Sequence, residues 1–156
     1  MNLTEGQQAP EFSGTTQDGK SINLSDYAST KNVVLYFYPK DDTPGCTIEA
    51  NEFTNLISEF EASGTIIIGV SADSVDSHIQ FIEKFGIKFN LFADTSKTIC
   101  DQYGAWGECE WNGKHYMGIK RSTFVIDKSG ALHKAMYDVK AKGHAQEILD
   151  IVKKLP

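Results

Sequence analysis

The stretch Leu35-Tyr36-Phe37-Tyr38-Pro39-Lys40-Asp41-Asp42-Thr43-Pro44-Gly45-Cys46-Thr47-Ile48-Glu49 passes from strand through loop to helix, and the rest of the chain is read outward from it. Val33 to Tyr38 is an unbroken apolar run rich in aromatic and β-branched residues, as a strand covered on both faces requires. Pro39 ends it. Thr43 suits a helix N-cap, Pro44 the first helical position, and Cys46 then falls in the first turn. A thiol there faces unpaired backbone N–H groups and the positive end of the helix dipole, so its thiolate is favoured.

On either side of this stretch the pattern continues as alternating strands and helices. Gly14 to Thr16 and Ser21 to Asn23 flank Asp18-Gly19 as a hairpin, and Ser25-Asp26 can cap a single helical turn. Apolar residues at Ala50, Phe53, Leu56, Ile57 and Phe60 predict one helix from Cys46 to Ser63, stopped by Gly64. Thr65 to Ser71 reads as a second buried strand, Ser74 to Phe85 as a helix, Phe89 to Ala93 as a strand and Ser96 to Tyr103 as a short helix. Gly104 to Ile119 shows no clear period, and Trp106 and Trp111 are expected to pack under a long loop there. A hairpin, Ser122 to Asp127 with Ala131 to Tyr137, and a final helix from His144 to Leu155 complete the chain. Two parallel crossovers followed by a hairpin and a helix give an α/β, thioredoxin-like fold: a central mixed β-sheet flanked by helices, with an N-terminal β-hairpin extension, as one domain over 1–156.

Composition narrows the function. With 40% hydrophobic and 23% charged residues the chain is an ordinary globular sequence, and a net charge of −6 without a basic run argues against nucleic acid or an anionic membrane as partner. No export signal is read at the first residues and no apolar run could span a bilayer, so the expected compartment is the cytoplasm. The three cysteines, an odd number, then suggest free thiols rather than a disulfide framework. Arg121 is the one arginine beside fourteen lysines, a hint that its position needs a planar, fork-shaped cation.

Cys46 has no second cysteine three residues away, since Thr43 and Glu49 occupy those places, and dithiol exchange within the loop is excluded. None of His78, His115, His133 and His144 sits in a motif that aims it at Cys46, as a cysteine protease or acyl-transfer enzyme would need. A thiolate beside a hydroxyl and turn N–H groups, with a guanidinium as a further candidate, suits an electrophilic oxygen, as in a hydroperoxide. Cys109 and His115 match no metal-ligand spacing, and no metal or other cofactor is expected.

Pro39-x-x-x-Thr43-x-x-Cys46 resembles the P-x-x-x-[T/S]-x-x-C signature of the peroxiredoxins. Its surroundings, with Gly6-x-x-Ala9-Pro10-x-Phe12, Tyr103-Gly104-x-Trp106-Gly107-Glu108 and Gly118-Ile119-x-Arg121-Ser122-Thr123-Phe124, are similar to the Q-type, or bacterioferritin comigratory protein, branch. The resemblance implies a thiol-dependent peroxidase for hydrogen peroxide and organic hydroperoxides, with Cys46 as peroxidatic nucleophile passing through a sulfenic acid. It implies that Thr43 holds the peroxide in line, that Arg121 and the amides at Gly45 and Cys46 receive the developing charge, and that Pro39 and Pro44 shape the loop. Glu49 is a candidate anchor for Arg121. Many members of the branch resolve the sulfenic acid with a cysteine five residues on, where this chain has Asn51, or with one on the next helix, where it has none. Cys100 is expected in packing, and Cys109 as an exposed thiol disfavoured by Glu108 and Glu110; each is only a candidate resolving residue. The expectation is therefore a monomer with a one-cysteine cycle, reduced by thioredoxin, glutaredoxin or glutathione. A peroxide-sensing relay that passes oxidation to a partner, or a binding protein indifferent to Cys46, are the other classes open.

Overall fold

A computed structural model describes residues 2–155, with Trp111 described by its backbone alone. Two short strands, β1 (Ser13–Thr15) and β2 (Ser21–Asn23), pair antiparallel as a separate hairpin. A 3-10 turn, Leu24–Tyr27, follows; its cap is Asn23, whose amide donates to Asp26 Oδ2 at 2.9 Å, so Ser25 and Asp26 lie inside the turn rather than before it. The central strand β3 (Asn32–Phe37) is buried at every position. It pairs parallel with β4 (Thr65–Ser71), which pairs parallel with β5 (Asn90–Ala93). On its other edge β3 meets β8 (Ser122–Ile126) antiparallel, and β8 meets β9 (Leu132–Met136), giving the mixed sheet order β5-β4-β3-β8-β9.

Helices α1 (Pro44–Asn55), α2 (Ile57–Ala62), α3 (Val75–Phe85), α4 (Thr98–Gln102) and α5 (His144–Val152) cover the sheet. Because side chains alternate along a strand, the apolar run of β3 feeds two cores. Val33, Leu35 and Phe37 pack with Phe12, Phe92, Ile99, Cys100, Tyr103 and Phe124 on one face. Val34, Tyr36 and Tyr38 pack with Cys46, Ala50, Phe53, Phe81, Ile148 and Leu149 on the other. Where Tyr36 lies opposite Gly69, a Cβ on the glycine would stand 2.7 Å from Leu91 Cδ2 and 3.1 Å from the Tyr36 ring and hydroxyl, so the two side chains pack over a bare backbone.

Three expectations are corrected. The helix read from Cys46 to Ser63 is two helices broken at Leu56, whose ψ of 7° leaves the α region and whose amide is shared between the Glu52 and Phe53 carbonyls. The apolar period runs on through the break, and no Gly or Pro marks it. Gly104 to Ile119 holds a β-hairpin, β6 (Trp106–Trp111) with β7 (Lys114–Ile119). Its turn, Asn112-Gly113 with φ of +52° and +78°, is a strong sequence signal for a hairpin. The signal was hidden because β7 is exposed from Lys114 to Met117 and so lacks the apolar alternation of a covered strand. Trp106 is half-buried against the core beneath Lys97, whose Nζ lies 5.1 Å from its ring; the side chain of Trp111 lies outside the described residues. The last helix stops at Val152, and i to i−3 bonds from Lys154 and Leu155 tighten the following turn.

Candidate active site

The end of β3 and the start of α1 place the reactive loop. Thr43, with φ −102° and ψ 157°, is the N-cap residue, Pro44 opens α1, and Thr47 N donates to the Thr43 carbonyl at 2.8 Å. Thr43 does not cap with its side chain, however. Its Oγ1 donates backward to the Lys40 carbonyl at 2.9 Å, which closes the loop and leaves the hydroxyl lone pairs free to accept. The amides of Gly45 and Cys46, second and third in the helix, have no acceptor within it. Pro39 and Pro44 are exposed, whereas Cys46 is only 2% exposed.

Arg121 reaches this loop through sheet register. Phe37 pairs with Ser122 across β3 and β8, so the residue before Ser122 emerges at the same sheet end as Tyr38 and Pro39. Its guanidinium spans two groups: Nη1 donates to Glu49 Oε1 at 2.7 Å, and Nη2 to Cys46 Sγ at 3.4 Å. Glu49 follows Cys46 by three residues and so lies on the same helix face. The fit is close: a Cβ on Gly45 would stand 3.0 Å from Arg121 Nη2. These contacts bring together Cys46, Glu49 and Arg121, partners 72 and 75 residues apart in the chain.

The electrostatics follow from burial. Glu49 is fully buried, and loss of hydration pushes its carboxyl from 4.5 up to about 7, with Arg121 pulling the other way. Its second oxygen, Oε2, is buried without a hydrogen-bond partner. Desolvation opposes the charge on Arg121, but Glu49 and Cys46 together hold its pKa above the usual arginine value. Tyr36 Oη, also buried and unpartnered, is raised well above the usual phenol range by desolvation and then by Glu49.

The other candidates lie elsewhere. Cys100 packs against the opposite face of the sheet from Cys46, and burial, then Asp94, raises its thiol far above the ordinary value. Cys109 sits on the outlying hairpin, half-buried rather than exposed, and its Sγ approaches the Gly107 carbonyl at 3.7 Å. Its pKa is raised by burial and by Asp138; Glu108 and Glu110, adjacent along the strand, point to the other face of the hairpin. All three cysteines are free thiols. Of the histidines, His144 bonds Thr123 Oγ1 at 2.7 Å and Glu147, and burial lowers its pKa. His78 bonds Asp41 and the Phe92 carbonyl. A hollow of about 350 Å³ beside Val33 and Tyr27 lies at the opposite end of β3, away from the thiol. Among the described residues no helix is long and apolar enough to cross a membrane.

A buried thiol thus meets a guanidinium at a helix start, and known proteins match the chain over nearly its whole length. The AhpC/TSA family profile matches residues 5–135. The peroxiredoxin Bcp of Bacillus subtilis is 43% identical over 153 residues, covering 98% of this chain and 97% of the relative. A PrxQ mutant structure from Xylella fastidiosa superposes with a TM-score of 0.91 at 34% identity, covering 98% of this chain and 97% of the other. A structure from work on alkyl peroxide reduction by the Xanthomonas campestris bacterioferritin comigratory protein gives 0.85 at 38% identity, covering 91% and 90%. The chain therefore belongs to the AhpC/TSA family, as a thioredoxin-fold peroxiredoxin of the Bcp, or Q-type, branch: a thiol-dependent peroxidase that works through a peroxidatic cysteine.

Proposed function

We propose that Cys46 is the peroxidatic cysteine and that the enzyme reduces hydrogen peroxide and organic hydroperoxides in a one-cysteine cycle. The carrying observation is the Arg121 fork, 3.4 Å from Cys46 Sγ and anchored at 2.7 Å on Glu49. The thiolate attacks the terminal peroxide oxygen, the O–O bond breaks, and the released alkoxide takes a proton to leave as alcohol or water. Cys46 becomes a sulfenic acid. Thr43 Oγ1, whose hydroxyl donates to the Lys40 carbonyl, accepts a hydrogen bond from the incoming hydroperoxide and orients the O–O bond. Arg121 and the amides of Gly45 and Cys46 stabilise the charge on the departing oxygen, while Pro39 and Pro44 stiffen the loop.

Return to the thiol uses two equivalents of an external thiol, thioredoxin, glutaredoxin or glutathione, which leave as a disulfide with one water. Asn51 in place of a nearby cysteine supports this, as do Cys100 on the far face of the sheet and the raised pKa of Cys109. We read the protein as a cytoplasmic monomer with the whole activity in one domain over 1–156; its odd number of cysteines suits a reducing compartment. The test is intact-mass and peptide analysis after one equivalent of peroxide. Sulfenic acid on Cys46 alone is expected; a disulfide from Cys46 to Cys109 or Cys100 would overturn the one-cysteine cycle. Retained turnover in Cys46→Ser would overturn the assignment itself.

A further inference from the structure

The reactive loop carries a buried polar cluster that the chemistry above does not use. Asp41, in the middle of the reactive loop, is 7% exposed, and His78 on the first turn of α3 is fully buried. Asp41 Oδ1 accepts from Tyr38 Oη at 2.6 Å, and its Oδ2 accepts from Ser77 Oγ at 2.7 Å and lies in hydrogen-bond contact with His78 Nδ1 at 2.7 Å. The far side of the ring donates from Nε2 to the Phe92 carbonyl at 2.8 Å. The ring is thus held on both sides, by Asp41 at Nδ1 and by the Phe92 carbonyl at Nε2. The Asp41 amide is held in turn by Asp73 Oδ2 at 2.8 Å, and Asp73 by Ser71 Oγ at 2.7 Å.

One loop residue is thus tied to the ends of β3 and β4, to α3, and through His78 to β5. Asp42 follows in the left-handed region at φ +59°, unfavourable for a non-glycine residue, and its carboxylate pairs with Lys84 on α3 at 2.8 Å. Thr43 and the first amides of α1 come next in the chain. The Asp41, Asp73 and His78 ligand atoms lie close enough together to suggest a cation site. Every one of them is already engaged by an internal partner, so the cluster binds the loop rather than an ion.

We infer that Asp41 and His78 form a positioning pair: they clamp the reactive loop onto α3 and thereby set Thr43 and the α1 amides against the Cys46 sulfur. This rests on Cys46 being the reacting thiol. The pair touches neither peroxide nor sulfur, so its effect is confined to reactions that need the cradle.

Two reactions of Cys46 separate the roles. Peroxide oxidation needs the aligned hydroxyl and amides; alkylation by iodoacetamide needs only an accessible thiolate. In Asp41→Asn and in His78→Gln the second-order rate of Cys46 oxidation by hydrogen peroxide should fall at least tenfold, while alkylation of Cys46, followed by peptide mass, stays level or rises as the loop loosens. The double variant should be no more than threefold slower than the worse single, since the two act as one unit. Ser77→Ala, which removes one donor from Asp41, should show the same divergence at two- to fivefold and replaces Asp41→Asn if that variant does not fold. Oxidation within twofold of the parent, oxidation and alkylation falling together, or losses that multiply in the double variant would each overturn the clamp. Failure of the parent to oxidise at Cys46 would instead overturn the assignment on which the clamp rests.

Discussion

Replacing Glu49 by Gln keeps the side-chain shape and removes a buried group of the site whose carboxyl titrates near neutrality. Burial raises the Glu49 carboxyl from 4.5 to about 7, so the native state holds this proton more tightly than the unfolded chain does. The sign follows from linkage. The stability that Glu49 contributes is full below pH 4.5 and is lost as pH rises through about 7, where the native carboxylate must exist unhydrated beside Arg121. The gap sets a ceiling of about 3 kcal/mol, of which roughly 2 to 3 kcal/mol falls between pH 5 and pH 8. The Gln variant has no such titration. Whatever its stability relative to the parent at pH 5, that difference should move in its favour by this amount at pH 8. For a chain of 156 residues, with roughly 3 °C of Tm per kcal/mol, the change is about 6 to 9 °C. Paired thermal melts at pH 5, 6, 7 and 8 measure it. A Tm difference between the two proteins that is flat to about 2 °C across this range would refute the placement of Glu49 as a buried, poorly compensated carboxyl.

Further substitutions address the same site. Arg121→Lys retains the charge but cannot hold Sγ and Glu49 together, and the peroxide rate should fall tenfold or more, about 1.4 kcal/mol in the barrier; an unchanged rate removes the fork from the chemistry. Gly45→Ala places a methyl 3.0 Å from Arg121 Nη2 and should slow peroxide reduction several-fold by shifting the guanidinium off the sulfur, a result that stopped-flow oxidation would contradict if the parent rate persisted. Tyr36→Phe deletes a buried hydroxyl that has no partner and should stabilise the fold by about 1 kcal/mol. A clear drop in its Tm would show that the hydroxyl is satisfied after all.

The sequence by itself determined much that short-range pattern carries. The apolar run Val33 to Tyr38, the Thr43-Pro44 entry to α1, and the position of Cys46 in its first turn depend on neighbours within a few residues, and they are where they were read. The succession of parallel crossovers and terminal hairpin also survived, because strand and helix periods are local. The β6–β7 hairpin escaped that pattern: its outer strand is mostly exposed and shows no alternation, although Asn112-Gly113 announced the turn. What only the tertiary structure decided is which distant groups meet Cys46. Arg121 arrives there because β8 runs antiparallel to β3 in one register, a fact set by strand pairing over some eighty residues of intervening chain. The turning of Thr43 Oγ1 toward Lys40, the desolvation of Glu49, and the Asp41–His78 pair likewise depend on how elements pack. Polar groups take their roles from the partners and the water that packing leaves them, and no local pattern records either.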